Sequence, residues 1–275
     1  MTGYRAQIVA PELLRNYPHA AAYAEIAAAI DEGLQDIGQY SAEGRPIVVG
    51  GHLIPEDVPR EAIIYNLEPE CVLSEAAIKM LRAHPVWDWS PRNAQKLRGH
   101  HIPVSFVMHP GYAKCLTKVP HSQEKDIDLL FYGSLNPRRN RILDGIEARG
   151  FKVTALFGEY GPNTNRASER DAMMGRAKLI LNLHFYEDAR MLETIRIHYI
   201  LANDIAVLSE LSADPDANHF WGEAVEMAPY KELVDRAEEL LTDPIRLARL
   251  RHRGGEWIRK YPQSAYLVSA LETVQ

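Results

Sequence analysis

Two hydrophobic signatures alternate along the chain. Short unbroken apolar runs, RAQIVA (5–10), PIVVGG (46–51) and AIIYNL (62–67), predict strands buried on both faces. Between the first two, AAAYAEIAAAIDEGLQDI (20–37) repeats its apolar residues at helical spacing. Residues 74–83 read as a helix, VWDWS (86–90) as a strand, 91–97 as a helix start and IPVSFVMH (102–109) as another strand. Residues 112–125 are polar and unpatterned and read as a connection. The second half is more regular. DLLFY (128–132), KVTALF (152–157), KLILNL (178–183) and IAVL (205–208) predict strands, with a last short one at 225–228. Helices are predicted at 138–149, 168–177, 193–202, 231–242 and 244–260. A β-α-β-α series of this kind predicts parallel sheets covered by helices. The fold class expected is α/β, two Rossmann-like doubly wound parallel-sheet domains facing a cleft. The boundary is expected between residues 122 and 123, with the last helix free to return to the first domain.

Composition narrows this picture. The chain has 275 residues, 46% of them hydrophobic, and a formal net charge of -6. A general nucleic-acid binder draws its affinity from a basic surface, so the global charge does not favour one. The two cysteines, Cys71 and Cys115, belong to no metal or disulfide pattern. No apolar run approaches a membrane span, and the first residues lack the apolar core of a signal peptide, so a cytoplasmic location is expected. No G-x-G-x-x-G follows the first strand and no G-x-x-x-x-G-K-[ST] occurs, which argues against dinucleotide-dependent dehydrogenases and P-loop NTPases.

Two segments carry candidate chemistry. In FYGSLNPRRNR (131–141) a strand runs through Gly133 and Ser134 into a helix that opens with Arg138 and Arg139. Glycine lets a ligand approach the backbone, and a helix N-terminus with two guanidinium groups suits an anion. Cations there oppose the helix dipole unless an anion neutralises them. A plain strand-to-helix loop with solvated arginines is the alternative. In LNLHFYEDARMLETIRIHYILANDIAVLSE (181–210) a strand carries Asn182 and His184 to its carboxyl end. A loop with Tyr186, Glu187 and Asp188 follows, then a helix with Glu193 and Arg196 one turn apart. Taken singly, Glu193 pairs with Arg196 and His184 is a hydrogen-bonded core histidine. Together at one strand end they read as a ligand site.

These segments, with the FGEYG turn at 157–161, resemble the C-terminal nucleotide-binding domain of GT-B glycosyltransferases of the family-1/family-4 group, nearest its spore-coat-protein-like bacterial branch. The likeness is strong over 126–210 and general elsewhere. It implies a glycosyltransferase that moves a sugar from a nucleotide diphosphate donor, UDP- or GDP-type, to an acceptor hydroxyl. No separate cofactor and no metal are expected, since fixed cations would stabilise the leaving diphosphate. By position, Gly133, Ser134, Arg138, Arg139 and Arg196 would meet the diphosphate. His184, Tyr186, Glu193 and Tyr199 would meet ribose or sugar, and Phe157, Gly158 and Tyr160 the base. Tyr199 stands where many members carry a second glutamate, which leaves open a non-catalytic nucleotide- or sugar-binding module that keeps the fold. The acceptor, a glycan, a small molecule or a modified nucleobase, is not specified.

A base for the acceptor hydroxyl would come from the first half. His52 follows Gly50 and Gly51 at a strand end, and His109 precedes Pro110 and Gly111 at another. Glu68 and Glu70 are a third option. Trp87 and Trp89 read as packing residues rather than a stacking platform. His100 and His101 have no further ligands at metal spacing.

Overall fold

The computed structural model describes residues 3–8, 20–156, 167–187 and 191–274. The chain divides into two units, Met1–Leu116 with Tyr261–Gln275, and Thr117–Lys260.

The first unit is built on a five-stranded parallel sheet in the order β1-β2-β3-β4-β5. Its elements are β1 (Tyr4–Ile8), α1 (Ala20–Asp36), β2 (Arg45–Val49), β3 (Ile63–Asn66), α2 (Glu75–Arg82), β4 (Val86–Asp88), α3 (Pro91–Gly99) and β5 (Val104–Val107). Val48, Ile64, Val86 and Val104 lie side by side across β2–β5 and form one apolar row. Met80 and Leu81 of α2 and Ala94 and Leu97 of α3 pack onto that row. Ser74 and Ser90 start the two helices by accepting from the backbone N–H groups of Ala77 (3.1 Å) and Asn93 (3.3 Å). Trp87 and Trp89 are buried, 0% and 4% exposed, so both serve packing. The chain's last helix, Gln263–Glu272, belongs to this unit and packs on α1. Gly33 permits the approach: a Cβ there would stand 2.8 Å from Leu267 Cδ1 and 3.1 Å from the Ser264 nitrogen.

The second unit holds β6 (Ile127–Tyr132), α4 (Pro137–Glu147), β7 (Val153–Leu156), α5 (Ala167–Arg176), β8 (Ala177–Asn182), α6 (Thr194–Ala202), β9 (Ala206–Glu210), α7 (Pro215–Gly222), β10 (Glu226–Ala228), α8 (Leu233–Thr242) and α9 (Pro244–Arg259). The last helix is therefore α10. Helix α7 has no counterpart in the sequence reading. The strands are all parallel, in the order β10-β9-β8-β6-β7. Leu129 and Phe131 of β6, Leu179 and Leu181 of β8, and Leu208 of β9 share one core with Ile142 and Ile146 of α4 and Leu233 and Leu240 of α8. From β6 the chain steps outward to β7, then returns to lay β8 on the other side of β6. The strand order therefore reverses between β6 and β8, and ligands of doubly wound sheets bind beyond the carboxyl ends of strands at such a reversal.

Candidate functional site

The carboxyl ends of β6 and β8 bring together most of the predicted donor residues. Gly133, just past β6, has φ +140°, a conformation open to glycine. A Cβ on it would lie 3.0 Å from Arg196 Nη2 and 3.5 Å from Arg139 Nη1. Two guanidinium groups therefore crowd one face of a glycine backbone. Ser134 and Leu135 lead to Asn136, whose Oδ1 accepts from the Arg139 N–H at 2.9 Å and caps α4. Pro137 carries no N–H, and Asn136 takes that of Arg139, so the start of α4 offers few free donors. Side chains supply the positive character of the site instead.

Arg139 is 3% exposed. Its Nη1 donates to the Ser134 carbonyl at 2.7 Å, its Nε to that of His184 at 3.3 Å, and its Nη2 to that of Leu183. Nη2 also lies 3.6 Å from Glu193 Oε1. Burial, then the charge of Arg196, lowers the Arg139 guanidinium to about 10. Arg196, from the first turn of α6, donates through Nη1 to Asn182 Oδ1 at 2.8 Å, and its guanidinium lies 5.3 Å from the Tyr132 ring centre. Asn182, fully buried at the end of β8, donates to Glu193 Oε2 at 3.1 Å and to Ser209 Oγ at 3.0 Å.

His184 is fully buried, and each ring nitrogen faces an acceptor. Nδ1 is 3.2 Å from Glu193 Oε2 and Nε2 is 3.2 Å from the Leu211 carbonyl. Both nitrogens donate only in the imidazolium. Burial disfavours that charge, but Glu193 and Glu210 outweigh it, and the His184 pKa is raised. Burial likewise opposes the Glu193 carboxylate, yet His184, Arg196 and Arg139 hold it at about 2. The sequence pairs Glu193 with Arg196 across a helical turn. In the structure Glu193 turns to His184 and Arg139, while Arg196 is held by Asn182.

Arg138 forms a bidentate pair with Glu210, with Nη1 2.8 Å from Oε2 and Nη2 on Oε1, and lies 4.1 Å over the Tyr230 ring. Glu210 is 2% exposed, and burial of Arg138 is outweighed by this pairing, which raises its pKa. Arg138 is thus committed to closing the end of β9. Glu210 went unread in the sequence, where its one signal is an acid directly after the apolar strand AVLS. Tyr186 is 51% exposed, edge-on to Phe185 at 4.8 Å, and Phe185 in turn lies 5.2 Å from the Arg139 guanidinium. Tyr199 is buried on α6, with the Arg170 guanidinium 4.3 Å from its ring centre, a setting different from that of the other three predicted ribose and sugar residues. Phe157, Gly158 and Tyr160, the predicted base contacts, lie outside the described residues.

The first unit has a second polar centre at the ends of β2 and β3. Gly50, with φ +77°, turns the chain after β2 and presents His52. His52 Nε2 is 3.8 Å from Glu68 Oε1, and the Tyr23 hydroxyl donates to the same oxygen at 2.5 Å. Burial lowers the His52 pKa to about 4, so its imidazole is neutral at neutral pH. Burial also raises Glu68. His109 sits past β5, with its ring edge-on to Tyr266 at 6.5 Å. Glu70 Oε1 meets His100 Nε2 at 2.5 Å. Among the described residues no group of three or more His, Cys, Asp or Glu side chains is placed to hold a metal ion, and no helix is long and apolar enough to cross a membrane.

No family model matches the chain. Uncharacterized proteins of Acanthamoeba polyphaga mimivirus are similar over part of it. L138 is 29% identical over 130 residues, 46% of this chain, and L140 is 24% identical over 120 residues, 43% of it. These matches cover 14% of L138 and 38% of L140, so the chain accounts for well under two thirds of either relative. Among solved structures, the crystal structure of TarM has a TM-score of 0.58 at 10% identity, covering 91% of this chain and 58% of that one. T4 phage BGT in complex with its UDP-glucose substrate gives 0.53 at 11% identity and covers 100% of both chains. Anabaena Alr3699/HepE in complex with UDP-glucose gives 0.58 at 12% identity, covering 90% of this chain and 81% of that one. The chain thus shares its fold, two α/β domains with five parallel strands each, with GT-B glycosyltransferase structures.

Proposed function

We propose that the protein is a glycosyltransferase that takes a sugar from a nucleotide diphosphate donor, with the donor held by the second unit. The observation that carries this reading is the charge balance at the β6/β8 strand reversal. Arg138, Arg139, Arg196 and the His184 ring, whose pKa its acidic neighbours raise, stand against the carboxylates of Glu193 and Glu210. Glu210 neutralises Arg138, and Glu193 is shared between His184 and Arg139. Positive charge is left over at Arg139 and Arg196, whose tips flank Gly133. A diphosphate seated on the Gly133–Ser134 backbone would relieve that repulsion.

The same cations supply catalysis. As the bond from the sugar to the diphosphate breaks, negative charge grows on the leaving oxygen, and Arg196 and Arg139 stabilise it without needing a metal. Glu193, ionised and oriented by His184, accepts from ribose or sugar hydroxyls. Tyr186 offers an exposed ring beside the phosphate site. His52, neutral and beside Glu68, takes the proton from the acceptor hydroxyl. UDP-glucose is the first donor to try, since similar folds have been solved with it.

The test is calorimetric titration of UDP and UDP-glucose into the wild type and Arg196→Ala. UDP should bind the wild type and bind the variant at least tenfold more weakly, about 1.4 kcal/mol. Equal affinity in the two would remove the phosphate assignment. Release of UDP from bound UDP-glucose separates an enzyme from a binding module, which would bind UDP without turnover.

A further inference from the structure

The loop that carries Glu68 is fixed from beneath by a fully buried carboxylate, Asp88, at the end of β4. Asp88 Oδ2 accepts from Asn66 Nδ2 and from Asn93 Nδ2, both at 2.8 Å, and its Oδ1 accepts from the Ser90 N–H at 2.9 Å. The two asparagines then grip the loop above. Asn66 Nδ2 also donates to the Glu68 carbonyl at 2.9 Å, and Asn93 Nδ2 donates to the same carbonyl at 3.1 Å. Asn93 Oδ1 accepts the Glu70 N–H at 2.8 Å. One carboxylate therefore orients two amides, and both amides converge on one carbonyl. Its residue, Glu68, carries the side chain shared by Tyr23 and His52.

A buried carboxylate is costly, and an apolar residue would complete this sheet at less cost. Burial raises Asp88 to about 7, against the opposing effect of its three hydrogen bonds. What a carboxylate at this position secures is shown by the geometry of its three hydrogen bonds. Asp88 is 0% exposed and cannot touch a substrate.

We propose that Asp88 is a positioning residue that, through Asn66 and Asn93, holds the Glu68 segment against His52 and Tyr23 and so sets the acceptor-side centre of the first unit. Its relevance to catalysis rests on the reading of His52 as the proton acceptor. Its structural content does not. Among the described residues, the Glu68 carboxylate and the Tyr23 ring, whose centroid is 6.0 Å away, face the His52 ring. Glu70, which pairs with His100 beyond the end of α3, lies on the same clamped segment.

The test is Asp88→Asn in the full chain, with histidine-selective labelling and His52 followed by NMR across pH, assigned with His52→Gln. Loosening the Glu68 segment admits water, so the His52 pKa should rise from about 4 towards 6.5 by a unit or more. Asp88, raised to about 7, is already uncharged where His52 titrates, so loss of its charge alone would leave the His52 pKa in place, and a rise reports the loosened segment. Turnover of UDP-glucose should fall at least tenfold while the Kd for UDP stays within twofold of wild type. Should Asp88→Asn not fold, Asn93→Ser removes one of the two clamps and should produce a smaller shift of the same sign. A His52 titration unchanged or moved downwards in the folded variants overturns the proposal. A wild type that neither binds UDP nor turns over UDP-glucose would defeat the transferase reading, while the titration still judges the clamp.

Discussion

Arg139 and Arg196 approach the same glycine, but their surroundings differ and so should the effects of removing them. Arg139 is sealed in and serves three backbone carbonyls. Arg139→Ala takes a donor from each, leaving the His184 carbonyl only Arg138 Nη1 at 3.2 Å, and the protein should lose about 2–4 kcal/mol of stability in urea unfolding. Arg196 is half-buried and bonded to one amide oxygen, that of the buried Asn182, so Arg196→Ala should cost less, about 1–2 kcal/mol, and chiefly weaken UDP. The His184–Glu193 pair has a pH signature whose sign follows from the two shifts. His184 is raised above 6.5 in the folded state, so the stability it lends is complete below 6.5 and is lost as pH rises through the raised value. Glu193 is depressed from 4.5 to about 2, so its contribution is present above 4.5 and is lost as pH falls towards 2. The pair is most effective between about 4.5 and 6.5. Thermal melts should show wild type losing Tm from pH 6.5 to 9 relative to its value at pH 6. His184→Gln should show a flatter alkaline limb, and parallel curves for the two proteins would contradict the pairing.

At the scale of elements, the site depends on how tightly strands and helices approach one another. Gly133→Ala combines a left-handed φ with a 3.0 Å contact to the Arg196 guanidinium. It should cost about 1–3 kcal/mol in equilibrium unfolding and weaken UDP by displacing Arg196. A control away from the site is Gly175, at the end of α5, where an added Cβ would meet the Pro120 carbonyl oxygen at 1.9 Å. Gly175→Ala should destabilise by at least as much and leave the UDP affinity of the folded fraction unchanged. The equally short α2 spaces Ala77, Met80 and Leu81 along one face, whereas helix α7 has no helical period in PDANHFWG because its large apolar residues stand together at Phe220 and Trp221. Its local signal is the pair Asp214-Pro215, a capping carboxylate and a proline at the first helical position. Its tertiary signal is Trp221, buried 5.3 Å from the Trp257 ring, a contact across 36 residues that no short window contains.

For the whole molecule, the donor reading predicts that ligand stabilisation enters through Thr117–Lys260, the unit that holds the cationic site. UDP at a hundred times its Kd should add about 2.7 kcal/mol, read as a concentration-dependent rise in Tm. Arg196→Ala should abolish most of that rise at the same UDP concentration. A wild-type Tm indifferent to millimolar UDP would count against donor binding. The assignment of segments to units is itself a tertiary fact. The last helix joins the first unit because Gly33 leaves room for Leu267, and because the Gly111 N–H donates to Gln263 Oε1 at 2.9 Å across 152 residues.

The sequence alone determined the alternation of strands and helices and the place of the Gly133–Arg139 turn. Apolar runs, capping residues and glycines act over a few positions and are legible in any short window. It also marked Asn182, His184, Glu193 and Arg196 as residues of one strand end and the helix after it. The tertiary structure decided their partners. Glu193 turned from Arg196 to His184 and Arg139, Glu210 claimed Arg138, and Tyr199 settled against Arg170. It also brought Asp88 beneath Glu68. The physical reason is that charge and hydrogen bonding are settled by distance in space. Arg138 and Glu210 are 72 positions apart and form one ion pair. Which side chains the arginines meet depends on strand order, and the reversal between β6 and β8 fixed it.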